Sequence, residues 1–193
     1  MTKLLEVKLH GCETLKNIAE PVSEVTPDLK SFISDMIFTM YENDGVGIAA
    51  PQVGLSKRIF ICDYDYSKSK KKNPQVIINP EFIEFSGEQT SEEGCLSFPN
   101  IFVEVVRFKN VKMKYFDIDM KEKVIEADDV YATILQHELD HLNGVVLVNK
   151  MSPIKKMATS FKLNRLNDIG RKMTLESSYI SSEQEQNRDK SNP

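Results

Sequence analysis

The feature that most limits how this chain can fold is Gln136-His137-Glu138-Leu139-Asp140-His141, a cluster of ionisable side chains set inside an apolar stretch. At about 3.6 residues per turn, Val130, Tyr131, Ile134, Leu135, Leu139 and Leu142 cover more than one side of a helix. A helix apolar nearly all round is buried. Within it His137, Glu138, Asp140 and His141 are costly to desolvate unless they pair with a cation or with one another. Histidines four positions apart stand one above the other on a helix face, where two imidazoles share one cation. Glu138, rotated by about 100° from that stripe, is close enough to take a proton from a water molecule at the cation without being obliged to bind it. Asp128 offers a side-chain cap for this helix and Gly144 the residue past its end. The stretch predicts a buried helix carrying a hydrolytic metal site; the plainer alternative is a buried helix with hydrogen-bonded core histidines.

Two histidines do not complete such a site, because catalytic zinc-type centres use three protein ligands and one open position. A protease pattern with a third histidine on the same segment would place it at 147, where Leu147 stands. His10 is the remaining histidine, and downstream carboxylates are sparse, with Asp168 and Glu176 the first available. Cysteine is therefore a serious candidate. The three cysteines, Cys12, Cys62 and Cys95, are odd in number and lack disulfide-like spacing, so they are expected as reduced thiols. Cys62 sits in Arg58-Ile59-Phe60-Ile61-Cys62-Asp63-Tyr64, which reads as a strand, and is expected as a buried thiol. Cys95 lies in Glu92-Glu93-Gly94-Cys95-Leu96-Ser97-Phe98-Pro99, where glycine and proline imply a loop of fixed shape that presents a thiolate.

Elsewhere Thr26-Pro27 starts a helix whose Leu29, Phe32, Ile33, Met36, Ile37 and Met40 form a packing stripe ending at Asn43. Gly45-Val46-Gly47-Ile48-Ala49-Ala50-Pro51-Gln52-Val53-Gly54 lets backbone approach something closely, with Gln52 its one strongly polar side chain. Residues 76–80, 82–85, 102–108 and 111–117 read as strands, the later ones half exposed and antiparallel, and 145–148 as a short strand. Lys68 to Lys72 belong to a solvated hairpin tip. Ser152-Pro153 opens a last helix with Ile154, Met157, Ala158 and Phe161 on one side and Lys155, Lys156, Lys162 and Arg165 on others. From about Thr174 the composition is too polar to bury a core. Residues 1–172 are expected as one catalytic domain and 173–193 as a disordered tail. The net charge of -4 and a pI near 5.5 argue against general nucleic-acid binding, DNA included. No apolar run reaches membrane-span length and no signal-peptide region opens the chain, so a cytoplasmic protein with no membrane association is expected.

Three segments, Gly45 to Gln52, Glu93-Gly94-Cys95-Leu96-Ser97, and Gln136 to Gly144, resemble the three signature motifs of the peptide deformylases, in order. The resemblance implies an α+β fold, antiparallel β-sheets packed around a central metal-binding helix with an N-terminal and a C-terminal helix. It implies a metal-dependent hydrolase that removes formyl from the N-formylmethionine of nascent polypeptides, with the ribosome surface a further partner. Cys95, His137 and His141 would hold iron(II), with zinc, nickel or cobalt as substitutes. Glu138 would be the general base and acid, while Gln52 and the Leu96 N–H would hold the developing oxyanion. The backbone at Val46 and Gly47 would pair with the extended substrate, and Val130, Ile134 and His137 would wall the methionine pocket. One position departs: where many bacterial members carry a substrate-contacting arginine, this chain has Phe102, with Arg107 five residues on. A zinc endopeptidase and an inactive deformylase-like binding protein are the alternatives.

Overall fold

A computed structural model describes residues 2–190, with side chains as far as Leu175. The elements run α1 (Pro27–Glu42), β1 (Gly47–Ala49), β2 (Ile59–Cys62), α2 (Tyr66–Ser69), β3 (Gln75–Glu93), β4 (Val103–Phe116), β5 (Glu122–Asp128), α3 (Asp129–Leu142), α4 (Leu147–Lys150) and α5 (Pro153–Lys190). The strands form one antiparallel sheet in sequence order, β1-β2-β3-β4-β5, and α3 touches all five of them. The α+β arrangement around a central helix is as the sequence implies.

The packing follows from strand parity. Successive side chains of a strand point to opposite faces, and β2, Ile59-Phe60-Ile61-Cys62, is buried throughout because both its faces are covered. Phe60 and Cys62 join the cluster around α3 with Ala132, Leu135 and Leu142. Ile59 and Ile61 join the cluster formed by Ile33, Met36 and Met40 of α1. Each such side chain contributes about 1.5–3 kcal/mol by leaving water. α1 begins as expected, with the Thr26 hydroxyl accepting from Leu29 N at 3.2 Å and Pro27 in the first turn.

Several boundaries differ from the sequence reading. The separate strands expected at 76–80 and 82–85 are one strand, β3, and those at 102–108 and 111–117 are one strand, β4. Register shifts at Ile78/Glu81 and Phe82/Glu84 absorb Pro80 without ending the ladder. Asp128 sits at the start of α3 but makes no side-chain capping bond. The strand expected at 145–148 is absent: Leu147–Lys150 is a helical turn, stabilised by Val146 N donating to Asn149 Oδ1 at 2.9 Å.

The last helix also turns a different side inward. Ile154, Met157 and Phe161 are more than 70% exposed, whereas Leu163 and Leu166 are buried against Leu15, Phe98 and Val103. Gly170 allows this seating, since a Cβ there would collide with the carbonyl oxygens of Leu9 and His10. The α5 backbone is helical past residue 172 to Lys190. Side chains from Glu176 onward and residues 191–193 lie outside the described residues, and with them most of the segment expected to be a tail.

Candidate metal centre

α3 is stapled to the sheet beside the site. At the point on β4 just before pairing with β5 begins at Asn110, Phe108 N donates to Gln136 Oε1 at 3.0 Å and Phe108 O accepts from Gln136 Nε2 at 2.8 Å. The amide side chain replaces a neighbouring strand there, and the helix is held in register with β4.

That register brings Cys95, His137 and His141 together, their ligand atoms all within 4.8 Å of one another. Cys95 Sγ lies 3.3 Å from His141 Nε2. The other ring nitrogen of His137, Nδ1, meets Glu93 Oε2 at 2.8 Å, which leaves Nε2 for the cluster. Two atoms in this buried region lack a hydrogen-bond partner, His141 Nδ1 and Glu138 Oε2. A sulfur, two imidazoles and a nearby unpaired carboxylate fit a divalent metal ion, which satisfies ligands that are otherwise expensive to bury together. His10 and Cys62 are elsewhere. The His10 ring packs on Phe98 with centroids 4.9 Å apart. Cys62 is buried behind β1, paired in register with Gly47.

Behind the histidines is a network that the sequence reading did not assign. Glu93, the last residue of β3, receives Arg107 in two bonds, Nε to Oε1 at 2.7 Å and Nη2 to Oε2 at 2.9 Å. Arg107 Nη1 also donates to Asp140 Oδ2 at 2.7 Å, and Lys150 Nζ stands 3.4 Å from the same oxygen. Arg107 and Glu93 are almost fully buried. Burial by itself would raise the Glu93 pKa, but the hydrogen bonds and charges of Arg107 and His137 overcome it and hold the carboxyl at about 2. Arg107 therefore ties the helix of His137 and His141 to the end of β3. The spacing signal was weak, because Glu93 and Arg107 meet only through the β3–β4 register.

Glu138 stands against Gly47, where a Cβ would collide with its carboxylate. Gly47 thus makes room for the Glu138 carboxylate. Burial pushes the Glu138 pKa up to about 7, the charges of His137 and Arg107 working against that rise. Gln52 Oε1 accepts from Ala49 N at 2.8 Å, which fixes the amide so that Nε2 faces Cys95 Sγ at 3.5 Å. A cavity of about 640 Å³ opens at this point, and Val46, Gly47, Gln52, Leu96, Val130, Ile134, His137 and Glu138 all line it. Of the three candidate ligands, Cys95 and His137 line it, whereas His141 is fully buried and is not part of the cavity. Phe102 is at its rim, more than half exposed, with its ring against Gly94.

The fold and site define a class: α+β proteins with a candidate metal site made of two histidines of one helix and a loop cysteine. Residues 4–157 match the polypeptide deformylase family model. A peptide deformylase of Thermodesulfovibrio yellowstonii is 44% identical over 153 residues, 79% of this chain and 92% of that one. That of Thermotoga maritima is 42% identical over 161 residues, 83% and 94% of the two chains. A crystal structure of the enzyme from Legionella pneumophila superposes with a TM-score of 0.79 at 38% identity, covering 86% of this chain and 97% of the other. This chain belongs to the polypeptide deformylase family.

Proposed function

We propose that this protein removes the formyl group from the N-terminal N-formylmethionine of newly made polypeptides, releasing formate. The observation that carries the reading is the convergence of the Cys95–His137–His141 cluster, the unpaired Glu138 carboxylate and the Gln52 amide on one apolar-walled cavity. A divalent cation held by Cys95, His137 and His141 supplies Lewis acidity and lowers the pKa of water. Glu138 takes the proton of the attacking water and passes it to the departing amine as the formyl C–N bond breaks. Gln52 Nε2–H and the Leu96 N–H donate to the formyl oxygen as it gains charge, and a neutral donor suits an oxygen charged only in the transition state. Gly47, the first residue of the edge strand β1, and Val46 before it pair with the extended peptide. Val130 and Ile134 flank the methionine side chain. Formate release from a formyl-Met-Ala-Ser peptide tests the reading; cleavage of internal peptide bonds without formate would replace it by an endopeptidase.

The physiological cation in this proposal is iron(II), with zinc, nickel and cobalt as working substitutes. A thiolate beside a redox-active iron is exposed to oxidation, so activity decays in air with iron and persists with nickel or zinc. The proposed setting is the cytoplasm, and no described helix is long and apolar enough to cross a membrane. Residues 1–172 are taken as the catalytic domain. The α5 face with Lys155, Lys156, Lys162 and Arg165 is taken to dock on the ribosome. Loss of salt-sensitive co-sedimentation on charge reversal at these four positions supports docking, and unchanged sedimentation excludes that face.

A further inference from the structure

The turn that carries Cys95 also carries a buried hydroxyl with one described side-chain partner. Phe98 N donates to Cys95 O at 2.9 Å, closing a turn over residues 95–98. Ser97 on this turn is fully buried, and its Oγ accepts from Gln52 Nε2 at 3.3 Å. The Gln52 amide is therefore held at three points: Ala49 N on its oxygen, and Ser97 Oγ and Cys95 Sγ on its nitrogen. A primary amide has two N–H groups. With one on Ser97 and one on Cys95, neither is idle, and an N–H must leave a protein acceptor to reach a substrate oxygen.

We propose that Ser97 is the positioning residue of the oxyanion donor: by retaining one N–H of Gln52, it makes the other, which rests on the Cys95 sulfur, the one that transfers to the formyl oxygen. The hydroxyl is the better acceptor of the two, because a sulfur that shares its lone pairs with a cation accepts hydrogen bonds weakly, and its contact is the longer, 3.5 Å against 3.3 Å. The amide thus pivots about its Ser97 and Ala49 contacts and swings only its sulfur-facing N–H. In the resting site that N–H also withdraws charge from the sulfur. This inference rests on the deformylase reading and adds to it a residue that acts only through Gln52.

A double-substitution cycle tests it, using formyl-Met-Ala-Ser and the cobalt-loaded full-length protein. Gln52→Ala is expected to lower kcat by about 10²–10³-fold, the cost of one oxyanion donor. Ser97→Ala is expected to lower kcat by about tenfold, the scale of one misplaced hydrogen bond, with KM within about twofold. The double variant should match Gln52→Ala alone, because Ser97 has nothing left to position. Losses that multiply would overturn the proposal. So would an unchanged kcat in Ser97→Ala.

A second readout needs no substrate. The sulfur-to-cobalt charge-transfer band is expected to move to longer wavelength in Gln52→Leu and, less far, in Ser97→Ala, as the sulfur loses its donor; an unmoved band in both overturns the resting contact. Ser97→Thr covers a folding failure of the alanine variant: it keeps kcat within about threefold if the hydroxyl is what matters, and loses activity if packing is. Wild-type protein that shows the cobalt band but releases no formate would refute the deformylase reading while leaving the resting geometry standing.

Discussion

Glu138 is the residue whose surroundings most clearly separate a chemical from a structural role. It is buried, one oxygen lacks any partner, and Gly47 gives up a side chain to accommodate it. Glu138→Ala is expected to keep one metal per chain and to lose turnover by about 10²–10⁴-fold. Metal analysis alongside formate release checks this, and a variant keeping more than about a tenth of the activity removes Glu138 as the base. Cys95 and Cys62 are a second pair of contrasts. Cys95→Ser replaces an anionic sulfur with a neutral hydroxyl and is expected to purify with little metal, whereas Cys62→Ser keeps its metal and loses stability through a buried polar group. Full occupancy in the Cys95 variant, with an empty site in the Cys62 variant, would identify the wrong third ligand. These residues were legible in the sequence because their chemistry is scarce in it: three histidines, three cysteines, and two of the histidines at helical spacing. The roles of Glu93 and Arg107 were not, since charged residues are common and only tertiary packing says which of them are buried; the sequence shows that Asp140 needs a partner, but not that Arg107 supplies it.

At the scale of elements, the site depends on three pieces held in mutual register, the end of β3, the middle of β4 and the exposed-to-buried edge of α3. Arg107 on β4 joins Glu93 of β3 to Asp140 of α3. Removing one partner of such a buried pair leaves an uncompensated charge, so Arg107→Ala is expected to cost about 3–5 kcal/mol of stability. It should also weaken metal binding by about 10–100-fold, the usual effect of losing support behind a ligand histidine. Acid should act on the same network. Glu93 has a pKa of about 2 in the folded chain against an ordinary value of 4.5. A carboxyl lowered on folding contributes its stability in full above the unfolded value and loses it as pH falls through the folded one. The urea midpoint of the metal-free protein is therefore expected to drop between about pH 4.5 and 2, with a shallower drop in Glu93→Gln. Equal pH slopes in the two proteins would remove Glu93 from this role. The sequence showed α1 because cap, periodicity and stop residue agree, and α3 by its periodicity and Gly144 although Asp128 makes no capping bond, and it showed strands by alternation. It did not show that β3 continues through Pro80, because the ladder there is maintained by irregular pairing with β4. Nor did it show α4, whose turn depends on one Asn149 bond.

At the scale of the whole molecule, α5 packs into a core cluster distinct from the one that α1 joins. Leu163 and Leu166 complete the cluster that also holds Leu15, Phe98 and Val103, and Gly170 lies on the N-terminal segment. That segment reaches the metal loop, since His10 N donates to Ser97 O at 3.1 Å. Thr174 is the last contact of this kind described: its Oγ1 accepts from Glu13 N at 3.0 Å and donates to Cys12 Sγ at 3.4 Å. The packed part of α5 thus reaches at least Thr174, where the composition turns polar, and passes the domain boundary expected at 172. A chain ending at Glu176 is expected to keep the melting temperature within a few degrees and to keep its formate release. A chain ending at Lys162 loses two buried leucines, each worth about 2–5 kcal/mol when emptied from a core, as well as the support under the Ser97 loop. It should unfold at markedly lower temperature and bind metal less tightly than the chain ending at Glu176. Thermal unfolding and metal titration of the two truncations decide the matter: equal stability and metal affinity would show that α5 lies on the fold without holding it, and a collapse of the longer truncation would place structural work in the segment beyond Glu176.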